Sequence, residues 1–199
     1  AEHFYIVTED IGLPSNLPVL RDPSSWIYAK EDAGKMLVGC FEPKSKPRPL
    51  DSIPEDFSFG QFAEDWDHFE PAMLNAMHRI PKLEDAGIHT FFNGPESFTP
   101  DDRYILGEAP ELSNFYVAAG LNSIGIQSAG GAGKVLSEWI VNGHPPLDLW
   151  DVDIRRFHSF QGNSQYLKER IEETLGLLYA MHWPFRQSET SRGVRKSVL

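Results

Sequence analysis

Residues 120–140, GLNSIGIQSAGGAGKVLSEWI, combine the residue types best suited to approaching an electron-rich cofactor. The apolar run 114–119, NFYVAA, reads as a buried strand, and residues 133–140 read as a helix. A strand, a glycine-dense turn and a helix bring bare backbone up to a phosphate or a flat ring. Gly120 and Gly125 leave no side chain in the way, and amides at a helix start can donate to the partner. Ser128, Ala129, Gly130, Gly131, Ala132 and Gly133 would let the helix's first turn pack closely. The same spacing fits a plain tight turn with close helix–strand packing, and glycine spacing alone leaves both readings open.

Other chemistry-bearing residues read as structural. Cys40 is the single cysteine, which excludes an internal disulfide and a cysteine metal cluster. Its strand-like context, LVGCF, points to a packed thiol rather than a nucleophile. His68 and His78 have no partners at ligand spacing and read as solvated or capping side chains. A net charge of −11 argues against nucleic-acid and anionic-membrane partners, which need clustered Lys and Arg. The sequence shows no signal peptide and no apolar run of membrane length.

The elements that must position these residues follow in order. Residues 4–8 form a strand, and 10–18 a loop broken by Gly12, Pro14 and Pro18. Residues 26–29 and 35–41 form a hairpin, with Gly34 at its turn. Residues 43–54, with four prolines, read as an exposed connection. Residues 61–79 form a helix whose stripe is Phe62, Trp66, Phe69, Met73, Met77 and Ile80, kinked or divided at Pro71. Residues 88–93 form a strand, and 104–107 with 114–119 a second hairpin. The following helix stops near Asn142-Gly143, with Pro145-Pro146 beyond. Residues 164–179 form a last helix, with Leu167, Ile171, Leu175 and Leu178 on one face. The tail around residues 181–185 has no strand of its own and reads as wrapping another part of a longer protein. Both ends read as cut.

Several of these stretches, taken together, carry a resemblance. GPESFTPD at 94–101, GEAPEL at 107–112 and GLNSIG at 120–125 resemble the sarcosine dehydrogenase and dimethylglycine dehydrogenase family. AEHFYIVTE at 1–9, DIRRFH at 153–158 and RGVRKS at 192–197 extend the likeness across essentially the whole chain. The resemblance implies an FAD-dependent oxidoreductase of the glycine-oxidase and D-amino-acid-oxidase-like superfamily, oxidising sarcosine or dimethylglycine by hydride transfer to flavin. It implies an α+β fold with a mostly antiparallel substrate-binding sheet at residues 1–113 and a flavin-contacting strand–turn–helix at 114–147. Residues 148–199 would be a helical linker toward a folate-binding domain that uses tetrahydrofolate. No GxGxxG fingerprint is present, so the main FAD-binding half would lie outside the chain.

The family's roles carry over onto matching positions only. His3 and Tyr28 correspond to a histidine and a tyrosine at the flavin face of a related oxidase, where either could accept a proton from the amine or position it. The turn residues Gly120, Leu121, Asn122, Ser123, Ile124, Gly125 and Ile126 would contact the flavin, largely through amides facing the charge that builds on its ring. Gln127 would meet the substrate carboxylate where related monomeric sarcosine oxidases have a lysine. A neutral amide brings no charge, which leaves the anchor open between Arg21, Arg103 and residues outside the chain. The resemblance also allows an electron-transfer flavoprotein as partner, and a bacterial cytoplasmic or mitochondrial-matrix location according to source. A non-catalytic relative, such as the regulatory subunit of pyruvate dehydrogenase phosphatase, shares the architecture.

Overall fold

In a computed structural model, residues 1–181 and 187–192 are described. Two compact units result. One comprises Ala1–Pro95 with the described part of Leu175–Gln187, the other Glu96–Thr174 with the described part of Ser188–Leu199.

The first unit is built on a five-stranded antiparallel sheet in the order β2-β3-β4-β1-β5. Its strands are β1 (Glu2–Thr8), β2 (Leu20–Asp22), β3 (Ile27–Asp32), β4 (Lys35–Cys40) and β5 (Ile88–Pro95). Alternation along β1 sends Phe4 and Ile6, both fully buried, to one face. There they meet Ile27, Ala29, Val38 and Phe91, and the helix α1 (Trp66–Arg79) closes over them with Phe69, Ala72 and Ala76. Each fully buried Phe or Ile contributes about 1.5–3 kcal/mol relative to exposure. Ala33 and Gly34, at φ +52° and +87°, make the two-residue turn that joins β3 to β4.

The helix α1 is shorter at its start than its apolar spacing predicts. Asp65 caps it, its Oδ1 accepting from the His68 amide at 3.0 Å. Phe62 lies outside the helix and donates its amide to the Asn93 carbonyl at 2.8 Å, tying the preceding loop to β5. Pro71 does not divide the helix, which runs unbroken from Trp66 to Arg79. The strand β2 is not foreseen from the sequence, because Leu20-Arg21-Asp22 is too short to show a period. His68 is less solvated than its setting predicts: its Nε2 lies 3.1 Å from Glu42 Oε1.

Cys40 is buried at the end of β4, its Sγ 3.4 Å from the Glu42 carboxylate. Burial, then the Glu42 charge, pushes its thiol well above the ordinary value. The thiolate that thiol reagents require is therefore absent near neutral pH. Cys40 will stay unmodified by a water-soluble aromatic disulfide until the protein unfolds; rapid stoichiometric modification of native protein would contradict this.

In the second unit, β6 (Ile105–Glu108) and β7 (Tyr116–Ala119) form an antiparallel pair. The helix α2 (Gly125–Asn142) packs on it through Trp139, which is buried. Gly107, at φ +118°, sits against the indole, and a Cβ there would lie 2.8 Å from the ring. The helix stops at Gly143, in the left-handed conformation at φ +76°, as its sequence predicts. It starts earlier than predicted, at Gly125 rather than Gly133. The glycines disguise it because they are poor helix formers, yet the turn ahead of them fixes its direction. Of the small residues expected to pack closely, Ala132 is buried, but a Cβ on Gly130, Gly131 or Gly133 would meet nothing within 4 Å among the described residues.

The DIRRFH stretch proves to be a clamp. Asp153 caps a short helical turn through the Arg155 amide, and Arg156 binds Asp101 at 2.7 Å and the Arg103 carbonyl at 2.6 Å. The helix α3 (Ser164–Leu177) ends two residues short of the expected boundary. In the second unit its buried line is Tyr166, Arg170 and Thr174, a polar stripe that the leucine spacing does not announce. The tail reading at residues 182–185 and most of the RGVRKS stretch lie outside the described residues. Among the described residues, no helix is long and apolar enough to cross a membrane. None of their His, Cys, Asp and Glu side chains group to hold a metal ion.

Candidate functional site

The face of the five-stranded sheet turned away from α1 carries an aromatic row. The register aligns Arg21 with Tyr28, Tyr28 with Gly39, Gly39 with Tyr5 and Tyr5 with Phe92, one residue per strand across the sheet. Directly paired residues point to the same face, so these side chains are neighbours. Tyr5 and Phe92 stack with centroids 4.6 Å apart. Gly39 opens the row: a Cβ there would fall 2.1 Å from Tyr28 Cζ, so the phenol lies directly across its backbone. Any side chain at Gly39 would push Tyr28 out of the row.

His3 joins this face two residues before Tyr5, paired with Gly94 on β5. It is ordered within β1 and buried, 8 % exposed, rather than frayed at the chain's start. The Phe41 ring is the hub. Its centroid is 5.0 Å from that of His3, 5.8 Å from Tyr28 and 4.5 Å from Tyr179, which stacks on it. Sequence reasoning singled out His3 and Tyr28, and the sheet brings both to one aromatic wall. It missed Phe41 and Tyr179, whose role depends on where β4 ends and on the return of α3. At that return Gly176 is required, since a Cβ would lie 2.6 Å from Pro43 Cα.

The glycine turn is a separate element, in the second unit. Gly120, Asn122 and Ser123 all have positive φ, at +59°, +48° and +62°. Asn122 is 1 % exposed, and its amide group is spent on holding this shape. Its Oδ1 accepts from the Thr99 amide at 2.8 Å, and its Nδ2 donates to the Gly120 carbonyl at 2.7 Å. The backbone amides of Asn122 and Ile124 are also used locally, bonding Ser97 O at 3.1 Å and Leu121 O at 2.9 Å. The first bond of α2 runs from the Ser128 amide to Ile124 O, at 3.0 Å. The amides of Gly125, Ile126 and Gln127 precede it, and no side chain caps them. Ile126 is fully exposed, and Gln127 is exposed. Among the described residues these amides have no acceptor, and with the positive end of an 18-residue helix they suit the electron-rich edge of a flavin.

Of the two arginines left open as a carboxylate anchor, Arg103 pairs with Asp151 at 2.8 Å. Arg21 lies with its guanidinium 4.3 Å from the centre of the Tyr179 ring. Its Nη2 donates to the Leu178 carbonyl at 3.2 Å.

The antiparallel sheet and the glycine turn opening a helix both fall within the match to a flavin-linked oxidoreductase family. The family model described as "FAD dependent oxidoreductase" matches residues 1–139, and "FAD dependent oxidoreductase central domain" matches 142–197. The chain belongs to the FAD-dependent oxidoreductase family. It is 48% identical, over all of its length, to 4-methylaminobutanoate oxidase (formaldehyde-forming) of Paenarthrobacter nicotinovorans, covering 24% of that protein. It is 38% identical to the mitochondrial pyruvate dehydrogenase phosphatase regulatory subunit of Mus musculus, over 100% of the chain and 23% of the relative. It is 37% identical to mitochondrial sarcosine dehydrogenase of Mus musculus, over 99% of the chain and 21% of the relative. The chain thus spans less than a quarter of the length of these relatives. L-proline dehydrogenase from P. horikoshii shares the fold, with a TM-score of 0.58 at 19% identity over 75% of this chain and 37% of that one.

Proposed function

We propose that the chain is part of an FAD-dependent enzyme that oxidises the N-methyl group of a small amino acid. The observation that carries the reading most is the aromatic sheet face, where His3 and Tyr28 both flank Phe41. FAD, when bound, supplies the acceptor for the hydride that leaves the N-methyl carbon. The chain's residues supply the surroundings. Phe41, Tyr5 and Phe92 form an apolar wall that excludes water from the reacting carbon. His3 or Tyr28 takes a proton from the amine or positions it, since only the neutral amine readily gives up a hydride. The resulting iminium adds water and separates into formaldehyde and the demethylated amine.

The turn at residues 120–127 would contact the flavin. Gly125, Ile126 and Gln127 would donate their amides to the ring, while Asn122 acts through the shape it imposes on the turn. Residues 1–113, 114–147 and 148–199 then correspond to substrate sheet, flavin contact and linker. The finer reading takes sarcosine or dimethylglycine as substrate, tetrahydrofolate as acceptor of the one-carbon unit and an electron-transfer flavoprotein as oxidant. The name of the Paenarthrobacter relative, formaldehyde-forming, favours release of the one-carbon unit instead.

The test is anaerobic mixing of the full-length flavoprotein with sarcosine, dimethylglycine and 4-methylaminobutanoate. Bleaching of the flavin's visible absorbance, with formaldehyde formed one for one, is the expected result. The 38% identity to a phosphatase regulatory subunit supports a second, non-catalytic reading. Bound flavin that none of these amines bleaches would select it.

A further inference from the structure

We propose that Arg21 anchors the carboxylate of the amino-acid substrate, an assignment that rests on the function proposed above. A substrate carboxylate leaving water needs a cation or several donors, or its desolvation opposes binding. Gln127 brings no charge. The first unit has three arginines at described positions, Arg21, Arg48 and Arg79. Arg48 is bound to Glu2 at 2.7 Å and Arg79 to Asp22 at 2.5 Å. Among the described residues, no carboxylate lies within ion-pair distance of Arg21. This holds in a chain whose 29 acidic residues far outnumber its 18 basic ones.

The side chain is also pre-organised. Stacking on Tyr179, with a hydrogen bond to that side chain, and the bond to the Leu178 carbonyl fix the guanidinium plane, and most of its five donors are left for a carboxylate. Its position suits a short amino acid. Arg21 is paired in register with Tyr28, whose ring flanks the same Phe41 that stacks on Tyr179. The guanidinium lies 4.3 Å from the Tyr179 ring, that ring stacks on Phe41 at 4.5 Å, and Phe41 lies 5.8 Å from Tyr28, so one aromatic cluster carries both the cation and the phenol.

The experiment compares wild type, Arg21→Met and Arg21→Lys in the full-length flavoprotein. Flavin reduction is followed with the preferred N-methyl amino acid and with an N-methylalkylamine of equal length lacking the carboxylate. Arg21→Met should raise the half-saturating concentration of the amino acid about 100-fold, with its limiting rate little changed. Arg21→Lys, which keeps charge but not the fork, should raise it about 10-fold. The amine should respond to neither substitution. Equal effects on amino acid and amine, or no effect on either, would reduce Arg21 to a staple for Leu178 and Tyr179 and overturn the assignment. If Arg21→Met fails to fold, the Arg21→Lys ratio decides by the same criterion. A wild-type flavin that no N-methyl amino acid reduces defeats the functional reading itself, and the anchor falls with it.

Discussion

Replacing Tyr28 with Phe in the full-length flavoprotein will slow flavin reduction by the N-methyl amino acid about 100-fold, and His3→Gln will act similarly. Phe preserves the ring that flanks Phe41 at 5.8 Å and lies across Gly39, so the loss isolates the hydroxyl. Gln at position 3 keeps hydrogen-bonding groups beside Phe41 but not an imidazole that can take a proton. Neither change should alter the melting temperature much, because the wall stays filled. Single-turnover kinetics separates the two steps: the limiting rate should fall, while the half-saturating concentration stays within about threefold. Wild-type limiting rates in both variants would remove this face from the chemistry, whatever the flavin content.

Asn122→Ala will destabilise the glycine turn by about 2–4 kcal/mol and cost the holoenzyme its tight hold on FAD. The substitution leaves the Thr99 amide and the Gly120 carbonyl without the partners they have at 2.8 and 2.7 Å. Thr99 is 2 % exposed, so water replaces the lost bonds poorly. It also puts alanine at φ +48°, a conformation asparagine tolerates better. Asn122→Gly separates the two causes, since glycine accepts the dihedral but restores no bond; it should recover only a minor part of the loss. Thermal unfolding and FAD release on gel filtration are the measurements. Unchanged melting and flavin retention in Asn122→Ala would mean that the Thr99 contacts do not hold the turn.

The elements of the first unit were largely legible in the sequence because their signals are local. Alternation marks β1, Gly34 marks the β3–β4 turn, and Phe69 with Met73 and Met77 mark α1. The start of α1 was not: Asp65 caps it locally through the His68 amide, but Phe62 fits the helical stripe and is held outside it by the Asn93 carbonyl, far along the chain. The strand β2 was missed for a related reason: a three-residue edge strand is defined by its pairing with β3 rather than by its own composition. The buried polar stripe of α3 escaped leucine spacing because Arg170 is buried by its surroundings, with its Nη2 bonding the Thr190 carbonyl at 2.8 Å.

The turn at residues 120–127 shows where sequence ends and tertiary structure begins. Residue types alone determined that a strand would lead through glycines into a helix stopping at Gly143, and motif likeness determined the oxidoreductase family. Only the fold decided which amides of the turn have no acceptor among the described residues. The side chain of Asn122 is consumed by Thr99 and Gly120, and α2 begins at Gly125, which leaves the donors at Gly125, Ile126 and Gln127. Only the fold decided, likewise, that His3, Tyr28 and Arg21 stand on one face. The reason is physical: propensity and periodicity act over a few residues, whereas register and hydrogen-bond partnership across a sheet are set by the packing of the whole chain.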